Sequence, residues 1–202
     1  QFSIIQNRGC FGGCNFCAIQ LHQGRRVTSR SADSIVAEAE RMTHEPDFKG
    51  YIHDIGGPTA NFRFPSCREQ MLRGMCNGGK HCLAPQTCSH MIVDHSDYLK
   101  ILRRVRELPG VKKVFIRSGI RFDYLMADPD DTFFKELVEY HVSGQLKVAP
   151  EHCAPNTLAY MGKPPIETFN KFKDKFYELS KKAGKKQYLV PYLCLLYTSP
   201  SP

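Results

Sequence analysis

The chain has 202 residues, 42% of them hydrophobic, which is enough to bury a core and excludes a disordered or low-complexity class. A net charge of +8 leaves a nucleic-acid partner open, but many lysines fall between Lys163 and Lys186 on the polar side of a helical pattern, which favours a solvated helix face. The apolar stretch from Tyr188 to Leu196 is far shorter than the roughly 20 residues that span a bilayer, so no membrane segment is predicted.

The residues at the two ends of the chain indicate where the expected domain begins and ends. Gln1-Phe2-Ser3-Ile4-Ile5 lacks an initiator Met and the features of a signal peptide, so we expect a fragment that begins inside a longer protein. Residues 194–202 continue no predicted element, and we expect them to be a non-native tail. One domain, truncated at both ends, is expected over 1–193, with a cysteine-rich insertion at about 64–90.

Predicted strands and helices alternate along this domain. Apolar runs predict strands at 2–6, 51–55, 111–117, 146–149 and 187–193. Apolar residues at helical spacing predict helices between them, at 32–42, 98–105, 133–141 and 166–179. This order predicts an α/β fold with parallel strands and outer helices, because parallel neighbours need crossover connections. A full eightfold barrel takes about 250 residues, so the expected architecture is an incomplete (β/α) barrel.

The first strand leads into a loop with three closely spaced cysteines. Cys10, Cys14 and Cys17 follow a C-x3-C-x2-C spacing, which can hold three corners of a 4Fe-4S cluster and leave the fourth iron without a thiolate. An open iron of this kind can chelate the amino and carboxylate groups of S-adenosylmethionine. Phe16 is expected to shield the cluster or to pack near an adenine. The alternatives are a zinc site, which normally requires a fourth ligand, or three unrelated thiols.

A second cysteine group lies in the insertion. It consists of Cys67, Cys76, Cys82 and Cys88. Four thiols in one loop-rich segment can close a second metal site, either zinc or another iron-sulfur cluster, with His81 and His90 as reserve ligands. The alternative is four reduced thiols that pack a loop. Either interpretation fits a reducing cytoplasm better than disulfides, because the nine cysteines are odd in number.

Three polar residues follow the third and fourth predicted strands. Ser118, Arg121 and Glu151 stand where ligands gather in barrel proteins, so we expect them to contact a cofactor. They fit a supporting structural role equally well.

The wording around the three cysteines resembles the radical SAM superfamily, and in particular the YgiQ family of bacterial proteins. The resemblance covers residues 1–192 and rests on four further phrases, at 23–25, 56–61, 117–123 and 146–152. It implies an enzyme in which the cluster reductively cleaves S-adenosylmethionine to a 5′-deoxyadenosyl radical that acts on an unknown substrate. It also implies that Gly56 and Gly57 approach the methionine amino group, although Pro58 replaces the acidic residue often found next.

The resemblance further implies a partner that supplies electrons, such as flavodoxin or ferredoxin. The expected location, from the cysteine usage, is cytoplasmic. A competing hypothesis is a zinc-stabilised basic module that binds nucleic acid, with both cysteine groups structural and the lysines on phosphates.

Overall fold

The computed structural model describes residues 1–76, 79 and 82–194. Within them the strands are β1 (Ser3–Ile5), β2 (Asn7–Arg8), β3 (Thr28–Ser29), β4 (Tyr51–Ile52), β5 (Asp54–Gly56), β6 (Lys113–Val114), β7 (Gln145–Glu151) and β8 (Tyr188–Leu193). The helices are α1 (Ile19–His22), α2 (Ala32–Thr43), α3 (Arg68–Arg73), α4 (Ser96–Arg106), α5 (Phe122–Met126), α6 (Thr132–Glu136), α7 (Pro155–Met161) and α8 (Ile166–Lys182). A π-helical turn, Leu137–His141, continues α6.

The described strands form four small two-stranded sheets, three of them parallel. β1 pairs with β5, β4 pairs with β6, and β7 pairs with β8, each time in parallel. A parallel bridge from Ile120 to Val148 joins the segment after β6 to β7. The carboxyl ends of these strands therefore face one edge, where the loops that follow them meet. No pairing between β8 and β1 is present among the described residues, so the sheet is not a closed barrel there.

The second and third predicted strands are shorter or more divided in the structure. The predicted strand at 51–55 is split at His53, because β4 pairs with one neighbour and β5 with another. The predicted strand at 111–117 ends early, as β6. Its last residues turn toward a side chain instead of a ladder, since Asp54 Oδ1 accepts the amides of Arg117 at 2.8 Å and Ser118 at 3.1 Å.

The predicted helices form because each buries one apolar face against the strands. α2 begins after Ser31, whose Oγ accepts the amide of Ser34 at 3.2 Å, an N-cap as the sequence predicts. α8 buries Phe172 and Phe176 fully, and Phe172 stacks on Phe134 at a ring-centroid distance of 5.2 Å. α4 buries the largest set, namely Tyr98, Leu99, Ile101, Leu102 and Val105.

Two further features frame the site. A second, smaller core contains Phe11 from the cysteine loop together with Phe62, Leu83 and Tyr124. Phe11 and Phe62 stack with their ring centroids 3.8 Å apart. Cys82 and Leu83 of the insertion belong to the same core, so the first cysteine loop and the insertion share buried surface.

Among the described residues, none of the helices combines the length and the hydrophobicity that crossing a membrane requires.

Candidate functional site

A short antiparallel pair closes the base of the three-cysteine loop. β2 runs into the loop and β3 leaves it, paired in register from Asn7 to Ser29. Above this base, the amide of Cys10 donates to Gly24 O at 3.1 Å. Gln20 Nε2 donates to Cys14 O at 3.1 Å. The loop is thus held by its own return segment, a pairing that the sequence pattern did not predict.

Hydrogen-bond donors are directed at two of the three sulfurs. The amide of Gly12 donates to Cys10 Sγ at 3.4 Å, and the hydroxyl of Thr59 lies 3.4 Å from the same sulfur. Arg121 Nη1 donates to Cys14 Sγ at 3.0 Å. Amide and cationic donors around sulfur are typical of thiolates that bind metal, because they stabilise the negative charge on the ligand.

Arg121 is buried and held from both ends. Its Nε donates to Asp123 Oδ1 at 2.7 Å, while Asn61 Oδ1 accepts its backbone amide at 2.8 Å. Burial lowers the pKa of Arg121, but the negative charges of Asp123 and Cys14 outweigh burial and raise that pKa above its ordinary value. A permanent positive charge therefore lies against the sulfur of Cys14.

Glu151 and Lys163 form an opposite-charge pair at the end of β7. Lys163 is only 4% exposed; its Nζ donates to Ala149 O at 2.6 Å and lies 4.0 Å from Glu151 Oε1. Burial raises the pKa of Glu151 despite the opposing charges of Lys163 and Arg121. Glu151 also has a φ of 74°, a region that costs a non-glycine residue energy and that concentrates at functional sites.

These groups surround one cavity of about 190 Å³ at the carboxyl edge of the parallel strands. Its lining brings together six of the residues singled out from the sequence: Cys10, Cys14, Phe16, Cys17, Arg121 and Glu151. Glu151 Oε2 and Arg121 Nη2 are buried without a hydrogen-bond partner among the described residues. Two residues that line the cavity beside the three thiols thus each carry a buried polar atom without a partner.

Three further predicted site residues, Gly56, Gly57 and Ser118, lie outside the lining of this cavity and contact other parts of the protein. A Cβ on Gly56 would lie 2.2 Å from Ser118 Oγ, and a Cβ on Gly57 would lie 1.7 Å from Asn7 Oδ1. The hydroxyl of Ser118 donates to Asp54 Oδ2. Both glycines are thus required by close packing of the protein itself, and the next two residues, Pro58 and Thr59, reach the cavity.

The three thiols line the cavity without forming a finished ligand set. Within the described ranges, no three or more His, Cys, Asp or Glu side chains are arranged to hold a metal ion. Burial is the largest influence on Cys17 and raises its pKa, with smaller contributions in the same direction from Cys14 and Cys10. The structure therefore shows donors of the right chemistry around a shared space.

The second cysteine group lines a larger cavity of about 610 Å³, whose lining also includes Arg68 and Glu69. Two of its sulfurs accept hydrogen bonds from one neutral residue: Gln70 donates its amide to Cys67 Sγ at 3.5 Å and its Nε2 to Cys82 Sγ at 3.4 Å. Cys88 Sγ lies 3.7 Å from His90 Nδ1. His81 lies outside the described residues. A second metal at this group is not supported, since the described residues place no ligand set here.

Sequence reasoning missed the residues that support the site. Lys163 was expected on a solvated helix face; it is instead buried because it precedes α8, beyond the left-handed Gly162 that ends α7. Its sequence neighbour Gly162 is the one signal that separates it from the helical lysines. Asn61 and Asp123 lie inside phrases that resemble the YgiQ family, but their hydrogen bonds to Arg121 depend on contacts distant in the chain.

Comparison with known proteins places the chain among radical SAM sequences. The family model described as the radical SAM superfamily matches residues 4–193. A "UPF0313 protein" of Clostridium perfringens (strain ATCC 13124) is 64% identical over 193 residues, which is 96% of this chain and 29% of the relative. One of Clostridium botulinum (strain Okra / Type B1) is 57% identical over 193 residues, 96% of this chain and 30% of the relative. The chain thus spans less than a third of these relatives, and none of these comparisons supports a nucleic-acid-binding module.

Proposed function

The chain belongs to the radical SAM superfamily, and we propose that Cys10, Cys14 and Cys17 bind a 4Fe-4S cluster for the reductive cleavage of S-adenosylmethionine. Such a cluster, when bound, supplies the electron that breaks a carbon-sulfur bond of the cofactor and releases methionine and a 5′-deoxyadenosyl radical. The substrate of the radical stays open. The observation that carries the proposal is the cavity in which three thiols meet a buried cation and a buried carboxylate.

The residues present fit the cluster by the chemistry of their donors. Three thiolates can ligate three irons and leave the fourth for the amino and carboxylate groups of the cofactor. Gly12 and Arg121 donate hydrogen bonds to the sulfurs of Cys10 and Cys14, and such donors stabilise the negative charge of a thiolate that ligates metal. The four cysteines of the insertion lack a charged donor of this kind in the contacts described for them.

The charged groups of the cavity fit the amino-acid end of S-adenosylmethionine. The unpaired Oε2 of Glu151 can accept hydrogen bonds from an ammonium group. Lys163 Nζ and the unpaired Nη2 of Arg121 provide positive charge for a carboxylate. A buried polar atom without a partner costs about 1–3 kcal/mol, so a ligand that pairs these atoms is stabilised by relieving that cost.

The surrounding residues would exclude water and direct the cofactor. Phe16, 39% exposed, stands at the cavity and would cover the adenine or the cluster. Gly56 and Gly57 allow the backbone to pass close to Ser118 and Asn7, which leads Pro58 and Thr59 to the cavity. By this route the glycine pair would bring backbone groups to the methionine end of the cofactor, with Ser118 in support through Asp54.

The fold, an electron donor and a reducing compartment are the further requirements of this reaction. The parallel strands form the described part of an incomplete (β/α) barrel whose carboxyl edge carries the site. A low-potential electron carrier such as flavodoxin or ferredoxin would supply the electron. Cluster thiolates persist in a reducing compartment, which favours the cytoplasm.

Anaerobic reconstitution with iron and sulfide tests the proposal. The expected product is a brown protein that, with dithionite and S-adenosylmethionine, forms 5′-deoxyadenosine detectable by liquid chromatography and mass spectrometry. Cys14→Ala should abolish this product, whereas Cys88→Ala, in the second group, should leave it in place. A colourless preparation that retains zinc and forms no 5′-deoxyadenosine would contradict the proposal.

A further inference from the structure

Arg121 is the one cation with a hydrogen bond to a sulfur of the three-cysteine loop among the described residues. Its Nη1 lies 3.0 Å from Cys14 Sγ, and its side chain is 8% exposed. Gly12 leaves the space that the guanidinium occupies, because a Cβ there would stand 2.8 Å from Arg121 Nη1 and 3.3 Å from Cys10 Sγ. The loop is therefore built around this contact.

A second charge opposes Arg121 on its far side. Asp123 Oδ1 accepts Arg121 Nε at 2.7 Å and also the amide of Tyr124 at 3.0 Å. The carboxylate is 2% exposed. A charge held this far from solvent is weakly screened, so its field reaches the neighbouring sulfur with little loss.

A chain of buried polar groups fixes the backbone of Arg121. Asn61 accepts the amide of Arg121 at 2.8 Å and donates to its carbonyl at 3.1 Å. Asn61 Nδ2 lies 3.1 Å from His95 Nε2, and His95 Nδ1 lies 2.5 Å from Asp128 Oδ2. The guanidinium is thus positioned from its backbone as well as from Asp123.

Reduction adds a negative charge to an iron-sulfur cluster, and a nearby cation stabilises the reduced state more than the oxidised one. Hydrogen bonds to the ligand sulfurs, net charge and exposure are the features by which a protein sets the potential of such a cluster. We propose that Arg121, through its hydrogen bond to Cys14 and with Asp123 as an opposing charge, sets the reduction potential of the cluster; this inference rests on the proposed function. Arg121 raises the potential and Asp123 moderates that effect.

Because Arg121 and Asp123 are expected to shift the reduction potential in opposite directions, substitution of each residue tests the inference. The chain is reconstituted anaerobically, and the potential of the cluster is measured by redox titration followed by electron paramagnetic resonance, without S-adenosylmethionine. Arg121→Gln, which keeps a neutral donor, should shift the potential to a more negative value. Asp123→Asn, which keeps the shape and removes the charge, should shift it to a more positive value. Arg103→Gln, an ion-paired arginine on α4, is the matched control and should leave the potential unchanged.

Shifts of equal sign in the two variants, or no shift in Arg121→Gln, would overturn the inference, because a merely structural role does not produce opposite electrostatic effects. Should Arg121→Gln fail to fold, Asp123→Asn decides alone, since an unchanged or more negative potential contradicts the inference. A reconstituted cluster with unaltered potentials would overturn this inference and leave the proposed function in place. An unsubstituted chain that binds no iron would overturn both.

Discussion

The two cysteine groups have similar numbers of thiols but very different surroundings. In the first, Arg121 and the amide of Gly12 donate to sulfur, and a carboxylate and a lysine share the cavity. In the second, the donor to two sulfurs is the neutral Gln70, and the cavity is larger, about 610 Å³.

This difference shows that groups with similar cysteine counts can have different surroundings. A cationic hydrogen-bond donor to sulfur and a position at the carboxyl edge of parallel strands distinguish the first group. The second group fits reduced thiols that pack the insertion, the alternative that the sequence left open. The predictions below test how far this contrast extends.

The largest expected effect comes from the smaller core, which contains Phe11 of the three-cysteine loop and Cys82 and Leu83 of the insertion. Phe11 is 1% exposed and stacks on Phe62. Phe11→Ala should lower the free energy of unfolding by about 3–5 kcal/mol, because it opens a cavity in the shared core. Urea denaturation followed by circular dichroism measures this change. Phe16→Ala, in the same loop but 39% exposed, is the control; an equal loss in both variants would contradict the claim that burial of Phe11 in this core stabilises the fold.

A pH dependence of the free energy of unfolding, similar in size, arises at a residue outside both cysteine groups. It limits the pH range in which the two groups can be compared. Burial lowers the pKa of His141 from 6.5 to about 4, and its Nδ1 lies 2.8 Å from Val114 O. Above pH 6.5 the histidine is neutral in the folded and the unfolded chain. As the pH falls from 6.5 to about 4, the unfolded chain binds a proton that the folded chain does not, so stability is lost.

That loss should reach about 3 kcal/mol. Urea midpoints measured from pH 7.5 to pH 4.5 would reveal it, and His141→Gln should flatten the curve across this window. A wild-type curve as flat as that of the variant would contradict the assignment. The two cysteine groups are therefore best compared above pH 6.5.

A smaller effect tests the space that only the first group reserves for a cation. Gly12→Ala places a methyl group 2.8 Å from Arg121 Nη1 and should lower the free energy of unfolding by about 1–3 kcal/mol, as overpacking does. Gly119→Ala is matched to it, since a Cβ there meets nothing within 4 Å. Chemical denaturation of both variants decides the matter; indistinguishable midpoints would mean that Arg121 moves aside without cost.

The smallest effect compares the free thiols directly. Burial raises the pKa of Cys17 and of Cys82, which lowers the fraction of reactive thiolate near neutral pH. In the metal-free chain both should react with iodoacetamide several-fold more slowly than the exposed Cys153. Peptide mass spectrometry over time gives the three rates. Faster alkylation of Cys17 than of Cys153 would show that its surroundings activate it.

Local patterns predicted much of the fold. Helical spacing of apolar residues located α2, α4 and α8, and Ser31 predicted the start of α2. The short helix α5 and the pairing of β2 with β3 were not predicted, because they depend on long-range contacts. The break after β6 is of the same kind, since it follows from hydrogen bonds to Asp54, more than 60 residues earlier.

The sequence predicted those site residues that are marked by cysteine spacing or by a position directly after a strand. The cysteine triad, Arg121 and Glu151 line one cavity as the strand order suggests. For Lys163 the sequence offered only the neighbouring Gly162 as a signal, because the contacts of its Nζ with Ala149 and Glu151 join separate elements. Whether Gly56, Gly57 and Ser118 contact the cofactor stays a prediction.

Iron and acid-labile sulfide content, measured on anaerobically reconstituted protein, tests the central claim most directly. One variant carries alanine at Cys10, Cys14 and Cys17, and the other carries alanine at Cys67, Cys76, Cys82 and Cys88. We predict that the first variant loses its iron, sulfide and paramagnetic signal on reduction, while the second retains those of the unsubstituted chain. Retention of iron by the first variant, with loss by the second, would contradict the assignment of the cluster to the three-cysteine loop.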